Sequence, residues 1–192
     1  MLFLVSGASR SGKTRLARKI LEEKGIPYLS LDWLMMGFND GMPEQGIHHL
    51  LWPDDIAERI EPFLLGMIDS LLADDVDYLI EGEALLPITV AGLIAQRPGK
   101  IRAVFLGYAC TEIATKVDLV KQHEPVGGDW LTRQSDHYIA DHVGNMIAHS
   151  KRIKAACKEH GLSYFDTGAD FCRSIDAAAD FLIGGLSLRT LN

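Results

Sequence analysis

The sequence predicts an α/β protein in which five short parallel strands alternate with helices. Short apolar runs without polar alternation, typical of strands that are buried on both faces, recur along the chain. Amphipathic segments separate them, and 192 residues with 47% apolar content suffice for one sizeable core. We therefore expect a single domain over residues 1–192, with its ligand at the carboxyl ends of the strands.

The order of these elements follows from the apolar pattern. Strands are predicted where apolar runs stand between turn residues, at residues 2–5, 27–31, 78–80, 101–108 and 163–165. Helices are predicted where apolar residues recur at helical spacing, at residues 14–24, 54–72, 87–96, 111–123, 136–160 and 174–183. Gly25 and Gly161 are placed to end the helices at 14–24 and 136–160. Pro62 should bend the helix at 54–72. Residues 33–52, rich in glycine, methionine and histidine, predict an irregular segment, and Pro125 begins a break before the long helix.

A glycine-rich loop between the first strand and the first helix carries the strongest functional signal. Residues 7–14 read GASRSGKT, the complete GxxxxGK[ST] pattern of a phosphate-binding loop. Its glycines allow a turn in which successive N–H groups point inward, and the helix that opens beside it adds the positive end of its dipole. The predicted nucleotide-binding residues are Gly7, Ala8, Ser9, Arg10, Ser11, Gly12, Lys13 and Thr14.

Within this loop, Lys13 is placed to reach the β- and γ-phosphates, and the Thr14 hydroxyl to bind the Mg²⁺ that bridges them. Carboxylates at neighbouring strand ends would complete the site, because Mg²⁺ keeps several waters that acids must hold. Asp32 closes the second strand, Glu81 ends the third, and Glu83 lies two residues beyond it. We predict that Asp32 positions or deprotonates an acceptor hydroxyl, that Glu81 serves the metal or the substrate, and that Glu83 is a further substrate contact.

Charge and cysteine content narrow the class of protein. The net charge is -7 and no long run of like charge occurs, so a nucleic-acid or anionic-membrane surface is not expected. The three cysteines are widely spaced, which favours free thiols in a reducing compartment over disulfides. No apolar run is long enough for a signal peptide or a membrane span. We expect a cytoplasmic monomer or homodimer that acts on small molecules.

These motifs resemble small P-loop kinases of the adenylate, shikimate and gluconate kinase type, and their zeta-toxin-like and 2-phosphoglycerate-kinase-like relatives. The loop at residues 7–14, the SLD end of the second strand and the LIEGE segment that begins at Leu79 carry the resemblance. It implies a nucleoside-kinase-like P-loop NTPase fold, a three-layer sandwich whose parallel sheet has the order 2-3-1-4-5. It also implies a helical lid, at about residues 111–133, that brings an arginine over the phosphates. Arg133 is the arginine of that segment and the candidate catalytic cation, beside Lys116 and Lys121; Arg152 in the next helix is a substrate candidate.

Three further patterns leave alternatives open. The TKVD sequence that ends at Asp118 matches a guanine-binding signature, but it stands in a helix with no DxxG element before it, so a GTPase is not favoured. The polar stripe that includes His142, Asn145 and Arg152 either faces the active-site cleft or is solvated, and its spacing does not suit zinc. Large side chains of the 33–52 segment either wall an acceptor pocket or are buried beneath it: Trp33, Met35, Met36, Phe38, His48, His49 and Trp52.

Together these features predict an ATP- and Mg²⁺-dependent phosphotransferase that moves the γ-phosphoryl group to a hydroxyl, or less favourably a phosphate, of a small metabolite. Two alternatives share the same loop: a nucleotide-binding regulator or slow ATPase, and a toxin-like or antibiotic-modifying kinase. The sequence does not identify the acceptor, because the shape of its pocket depends on packing between distant segments.

Overall fold

Five parallel strands form one sheet in the order β2-β3-β1-β4-β5. The structure is a computed structural model, and it describes residues 1–122 and 130–185. The strands are β1 (Leu2–Gly7), β2 (Tyr28–Ser30), β3 (Tyr78–Glu81), β4 (Ile101–Gly107) and β5 (Tyr164–Asp166). The α/β class and the sheet order expected from the sequence are both confirmed.

Helices connect these strands on both faces of the sheet. They are α1 (Lys13–Lys24), α2 (Leu31–Gly41), α3 (Pro53–Ala73), α4 (Pro87–Gln96), α5 (Ile113–Gln122), α6 (Asp136–Glu159) and α7 (Phe171–Ile183), with a short 3₁₀ turn at Pro43–Gln45. No helix in the described ranges is both long enough and apolar enough to pass through a bilayer.

Alternate residues of the central strand divide the apolar interior into two cores. Leu2 and Leu4 of β1 face a core that includes buried residues of α3, α4 and α6. Phe3 and Val5 point the other way, into a core completed by α1 and α7. Because successive side chains of a strand point to opposite faces, a fully buried strand must be apolar throughout. The result is the three-layer sandwich that the sequence predicts.

The segment predicted to be irregular is partly helical. Helix α2 occupies Leu31–Gly41, so Asp32 lies in the first turn of a helix and not at the end of a strand. Leu31 is buried, Leu34 and Phe38 pack against the same core, and the Phe38 ring meets Phe63 of α3 edge to face at 5.5 Å. The spacing of these three residues is helical, and their burial stabilises the helix although it contains glycine.

Other element boundaries agree with the sequence or differ by one turn. Helix α3 continues through Pro62. Helix α7 begins at Phe171, one turn before the predicted start, because Asp170 caps it by accepting a hydrogen bond from the N–H of Arg173 at 3.0 Å. The predicted break that begins at Pro125 and the middle of the predicted lid, residues 123–129, lie outside the described residues.

Candidate active site

The glycine-rich loop leaves β1 in a conformation that requires glycine at both ends. Gly7 has φ 135° and Gly12 has φ 101°. A Cβ atom at Gly7 would lie 1.9 Å from the backbone oxygen of Leu106, and one at Gly12 would lie 2.8 Å from the ring of Phe171. The loop is held to β4 by a hydrogen bond of 3.0 Å from the N–H of Ala8 to the Leu106 carbonyl. A side chain at Gly7 would therefore displace the loop from β4, and one at Gly12 would push against side chains of α7 in a backbone conformation that favours glycine.

Lys13 lies across the loop and is only 6% exposed. Its Nζ donates to the Ala8 carbonyl at 3.0 Å and forms an ion pair with Glu83 Oε1 at 3.2 Å. Because Lys13 is also the first residue of α1, its ammonium group and the positive end of the helix dipole act at the same place. The loop therefore concentrates positive potential where an anion would bind.

Thr14 and Glu81 lie together beneath the loop. The Thr14 hydroxyl donates to Glu81 Oε1 at 3.0 Å. Glu81 is fully buried at the end of β3, in register with Val5 of β1 and Ser30 of β2. Burial raises the pKa of the Glu81 carboxyl, and Ser30, Lys13 and Thr14 partly oppose that shift.

This pair of oxygen donors fits a magnesium ion. Within residues 1–122 and 130–185, Glu81 Oε2 is buried and has no hydrogen-bond partner. Mg²⁺ binds through one or two protein oxygens and keeps waters or phosphate oxygens in its other positions. The described residues contain no group of three or more His, Cys, Asp or Glu side chains that could hold a metal by themselves. A threonine hydroxyl with one carboxylate therefore suits Mg²⁺ bound together with a nucleotide better than it suits a protein-only metal centre.

Asp32 faces the same cleft from the first turn of α2. Surrounding protein atoms raise the pKa of its carboxyl, Lys13 lowers it and Glu83 raises it, so the three groups act on one another electrostatically. Asp32 is nevertheless exposed to solvent. The structure thus brings together Lys13 of the loop and two of the acids predicted from the sequence, Asp32 and Glu83.

Helix α6 brings histidines to the other side of this cleft. Burial lowers the pKa of His149, while Glu83 raises it and Arg152 and Lys13 lower it. Burial and Arg10 lower the pKa of His142, and Glu83 raises it. The stripe on α6 is therefore not only a solvated face. His149, which is within electrostatic reach of Lys13, was not among the predicted site residues, although it stands two turns beyond His142 on the same stripe.

The two lysines and the arginine predicted for the lid take different positions. Lys116 of α5 donates from Nζ to the Arg10 carbonyl of the loop at 3.1 Å. Lys121 forms an ion pair with Asp136 at the start of α6, at 2.6 Å. Arg133 is exposed in the turn that leads into α6. The sequence places Lys116 in the lid but does not predict its contact with the loop, since nothing local in the sequence indicates that α5 packs beside it.

The segment before α3 combines exposed aromatic residues with a cavity. Trp33 is 57% exposed, with its ring 5.6 Å from that of Tyr28, and Trp52 is 62% exposed. A partly open cavity of about 260 Å³ is lined by Asn39, Pro43, Ile47, His48 and Leu50. Among the described residues, His48 Nδ1 is buried without a hydrogen-bond partner. Phe38 packs against the core, whereas Trp33 and Trp52 are exposed. The large side chains of residues 33–52 are therefore divided between the core and the surface.

Solved structures with the same fold are small P-loop kinases. The chain resembles a shikimate kinase from Bacteroides thetaiotaomicron with a TM-score of 0.53 and 14% identity, over 95% of this chain and 96% of that one. It resembles a gluconokinase from Sinorhizobium meliloti 1021 with a TM-score of 0.57 and 19% identity, over 94% and 90% of the two chains. A sugar kinase from Janibacter sp. HTCC2649 gives a TM-score of 0.55 and 17% identity, over 94% and 93%.

These likenesses confirm the predicted resemblance to small P-loop kinases in its fold. No protein-family model matches the sequence, and no curated protein matches it. At identities of 14%, 17% and 19% the likeness establishes the fold alone, so any substrate has to be argued from the residues of this chain.

Proposed function

We propose that this protein is an ATP- and Mg²⁺-dependent phosphotransferase that moves the γ-phosphoryl group to a hydroxyl of a small metabolite. The observation that carries the proposal is the convergence of Lys13, Glu83 and Asp32 in one cleft at the mouth of the phosphate-binding loop. A protein that only binds nucleotide has no proton to remove, so an acid in front of the lysine favours one that catalyses phosphoryl transfer. The kinase folds of the structural neighbours support the same reaction class.

The triphosphate is the expected partner of Lys13. Its ammonium group now pairs with Glu83, a side chain that is partly exposed and therefore easily displaced. In the complex, β- and γ-phosphate oxygens of the nucleotide would replace the Glu83 carboxylate as the partner of Lys13. The same oxygens would accept hydrogen bonds from the loop N–H groups. Because these donors are fixed before the substrate arrives, they stabilise the charge that builds up on the transferred group without reorganising.

The metal is expected beside the triphosphate, held by the Thr14 hydroxyl and the free oxygen of Glu81. When bound, Mg²⁺ supplies the neutralisation of negative charge between the β- and γ-phosphates. Because the Thr14 hydroxyl donates its hydrogen to Glu81, its lone pairs point away from that carboxylate and are available to a metal ion. With a metal bound, Glu81 would keep its charge in this buried position, because the positive ion would offset the loss of solvation.

The acceptor hydroxyl is expected in front of Asp32. A carboxylate whose pKa is raised is a better base than an ordinary aspartate, so Asp32 suits the removal of the hydroxyl proton as the new bond to phosphorus forms. Glu83 and Arg152 are proposed to orient the rest of the acceptor, and Arg133 to approach the phosphates when the lid closes. A phosphate acceptor is less favoured, because two acids in the cleft would repel a dianion.

The reaction itself provides the test. Purified protein is incubated with ATP, Mg²⁺ and a library of hydroxylated metabolites, and new phosphorylated products are detected by mass spectrometry. We expect at least one acceptor to gain a phosphoryl group, with ADP formed in equal amount. If ATP binds but no acceptor in the library is phosphorylated, the proposal gives way to a nucleotide-binding regulator or slow ATPase.

A further inference from the structure

The outer turn of the phosphate-binding loop has a backbone conformation that its residues do not favour. The Ser11 N–H donates to the Ala8 carbonyl at 3.3 Å, which closes a four-residue turn with Ser9 and Arg10 in its central positions. Arg10 has φ 56°, whereas Ser9 is not among the residues with positive φ. A positive φ at the third position is characteristic of a type II turn, where glycine or asparagine is the usual residue. Arginine is disfavoured there, because its Cβ approaches a backbone oxygen.

Two side chains from outside the loop hold this turn by its carbonyl groups. The Tyr108 hydroxyl donates to the Ser9 carbonyl, and the Lys116 ammonium donates to the Arg10 carbonyl at 3.1 Å. Lys116 Nζ also lies 3.8 Å from the centre of the Tyr108 ring, so the two residues form a cation–π pair. Tyr108 is itself completely buried, and its N–H donates to Ser150 of α6 at 2.8 Å.

The position of these carbonyls decides where the neighbouring N–H groups point. Type I and type II turns differ mainly by a flip of the central peptide unit, here the one between Ser9 and Arg10. In a trans peptide the N–H points opposite to the C=O. The Ser9 carbonyl points to the Tyr108 hydroxyl, so the Arg10 N–H points away from Tyr108. A phosphate oxygen on that side of the turn would accept it. A flipped peptide would present an oxygen to the phosphate instead.

We propose that Tyr108 and Lys116 are positioning residues that select this turn, so that the phosphate-binding loop presents its N–H groups before the nucleotide arrives. The inference rests on the proposed function only in that the loop binds phosphate. It concerns neither the acceptor nor the chemical step. It also explains why an arginine is tolerated at a position that favours glycine, since the two contacts stabilise the disfavoured conformation.

The first test measures the loop in the protein without nucleotide. Hydrogen–deuterium exchange of the peptide covering residues 7–14 is compared among wild type, Tyr108→Phe, Lys116→Met and Lys116→Arg. We expect exchange to be several-fold faster in Tyr108→Phe and Lys116→Met, because each loses one hydrogen bond to the turn. Lys116→Arg keeps the positive charge and a donor, and we expect exchange close to that of wild type.

A second lysine–tyrosine pair in the chain provides matched controls. Lys154 Nζ lies 5.6 Å from the centre of the Tyr164 ring, and the described hydrogen bonds of these two side chains go to Cys110, Ser150 and Ala109. Lys154→Met therefore makes the same chemical change as Lys116→Met without removing a loop contact, and it is the primary control. Tyr164→Phe also leaves the loop contacts in place, but it removes a hydroxyl partner of Ser150, which accepts from the Tyr108 N–H. Circular dichroism and thermal denaturation of every variant establish that it is folded.

The second test measures affinity for the triphosphate by calorimetry. We expect ATP to bind about threefold to tenfold more weakly to Tyr108→Phe and Lys116→Met, with no such change in the controls. Unchanged loop exchange in both variants would overturn the inference. So would a Lys116→Met variant that binds ATP weakly while its loop exchanges normally, since Lys116 would then act on the phosphates directly.

These results are distinguishable from a failure of the proposed function. If wild-type protein bound no nucleotide, the proposed function would fail. Hydrogen exchange of the loop would still show whether Tyr108 and Lys116 hold the turn.

Discussion

The two sides of the cleft are built differently. On the phosphate side, Lys13 and Glu81 are buried, and the loop that contains Lys13 is fixed to β4 by backbone contacts. On the acceptor side, Asp32 and Trp33 are exposed, and they lie on helix α2, which packs against the core through Leu31, Leu34 and Phe38. The comparison indicates that the groups that handle the phosphoryl donor belong to the core, whereas the groups that would choose the acceptor belong to the surface.

Burial has consequences for what each side can do. Buried donors keep their orientation because the surrounding side chains cannot move without opening cavities, so they are suited to stabilising one charge distribution. Exposed side chains change without disturbing the core, so the acceptor side is free to vary in sequence while the fold persists. We therefore expect substitutions on the phosphate side to abolish transfer to every acceptor, and substitutions on the acceptor side to act on the transfer step alone.

The largest expected effect is that of Lys13→Ala. Removal of its ammonium group takes away the fixed positive charge at the β- and γ-phosphates, and we expect kcat to fall by at least about 100-fold. The fold should persist, because Glu83, which loses its partner, is partly exposed. Steady-state kinetics with circular dichroism measure both effects.

A lysine on the same helix provides the control for this variant. Lys19 is also on α1, and it pairs with Glu23 at 2.6 Å and with Asp176 at 3.0 Å at the surface. Lys19→Ala should change kcat less than about twofold, since surface ion pairs contribute little. Full turnover in the Lys13→Ala variant would remove Lys13 from the phosphate site.

Asp32→Asn is expected to separate transfer from nucleotide binding. The asparagine keeps the shape but cannot accept a proton, so we expect kcat to fall about 100-fold or more while the affinity for ATP changes little. The raised pKa of Asp32 adds a pH signature. The base acts only when ionised, so wild-type activity should fall with decreasing pH at a higher pH than an ordinary aspartate gives, and the variant should lack that limb.

Another acid of the same helix controls for this change. Asp40 is an exposed residue of α2 that accepts a hydrogen bond of 2.6 Å from Asn39. Asp40→Asn should leave kcat and its pH profile unchanged. Equal losses of ATP affinity and kcat in Asp32→Asn would mean that Asp32 belongs to the phosphate side, and the contrast between the two sides would have to be redrawn.

The same contrast explains how much the sequence predicts. The phosphate-binding loop is a local motif of consecutive residues, and the strands are apolar runs, so both are predictable from short windows of sequence. Helix α2 is missed because the helical spacing of Leu31, Leu34 and Phe38 is obscured by glycine and methionine between them. The contact of Tyr108 with Ser9 joins residues 99 positions apart. The predicted sheet order already places β4 beside β1, but no pattern in either segment indicates that the Tyr108 hydroxyl reaches the Ser9 carbonyl.

Glu81→Gln is expected to weaken magnesium binding and to stabilise the fold. Removing the buried charge should raise the Mg²⁺ concentration needed for half-maximal activity by about tenfold or more, while the amide still accepts from Thr14. Stability should rise for a different reason. The pKa of Glu81 is raised in the folded state, so ionisation at neutral pH costs free energy of folding that glutamine does not. We therefore expect a higher melting temperature for Glu81→Gln, measured by thermal denaturation without metal.

A second threonine–glutamate pair serves as control for this variant. Thr89 donates to Glu61 at 3.1 Å, away from the loop. Glu61→Gln should change neither the Mg²⁺ requirement nor, by more than a few tenths of a degree, the melting temperature. If Glu81→Gln kept the Mg²⁺ requirement of wild type, the metal would not contact Glu81. If it lowered the melting temperature, the buried carboxylate would be stabilising in its present environment.

The smallest expected effect concerns Lys116 and the pH dependence of nucleotide affinity. Burial, with a further effect of Arg10, lowers the pKa of Lys116 to about 8. Among the charged or titratable groups around it, Arg10 stays charged and burial raises the pKa of Tyr108, while the pKa of His142 on α6 is lowered below its ordinary value. Between pH 7 and 9, Lys116 is therefore the group of this set that changes charge.

A polyanionic ligand favours the protonated form of Lys116, so affinity for ATP should fall as pH rises through about 8. The loss between pH 7 and 9 should be between about twofold and tenfold, the upper value applying if only the protonated form binds. Calorimetry at constant ionic strength measures it, with Lys116→Arg as the variant that stays charged and should show no pH dependence in this range. An equal pH dependence in wild type and Lys116→Arg would assign the titration to another group, and the loop would then be held without the charge of Lys116.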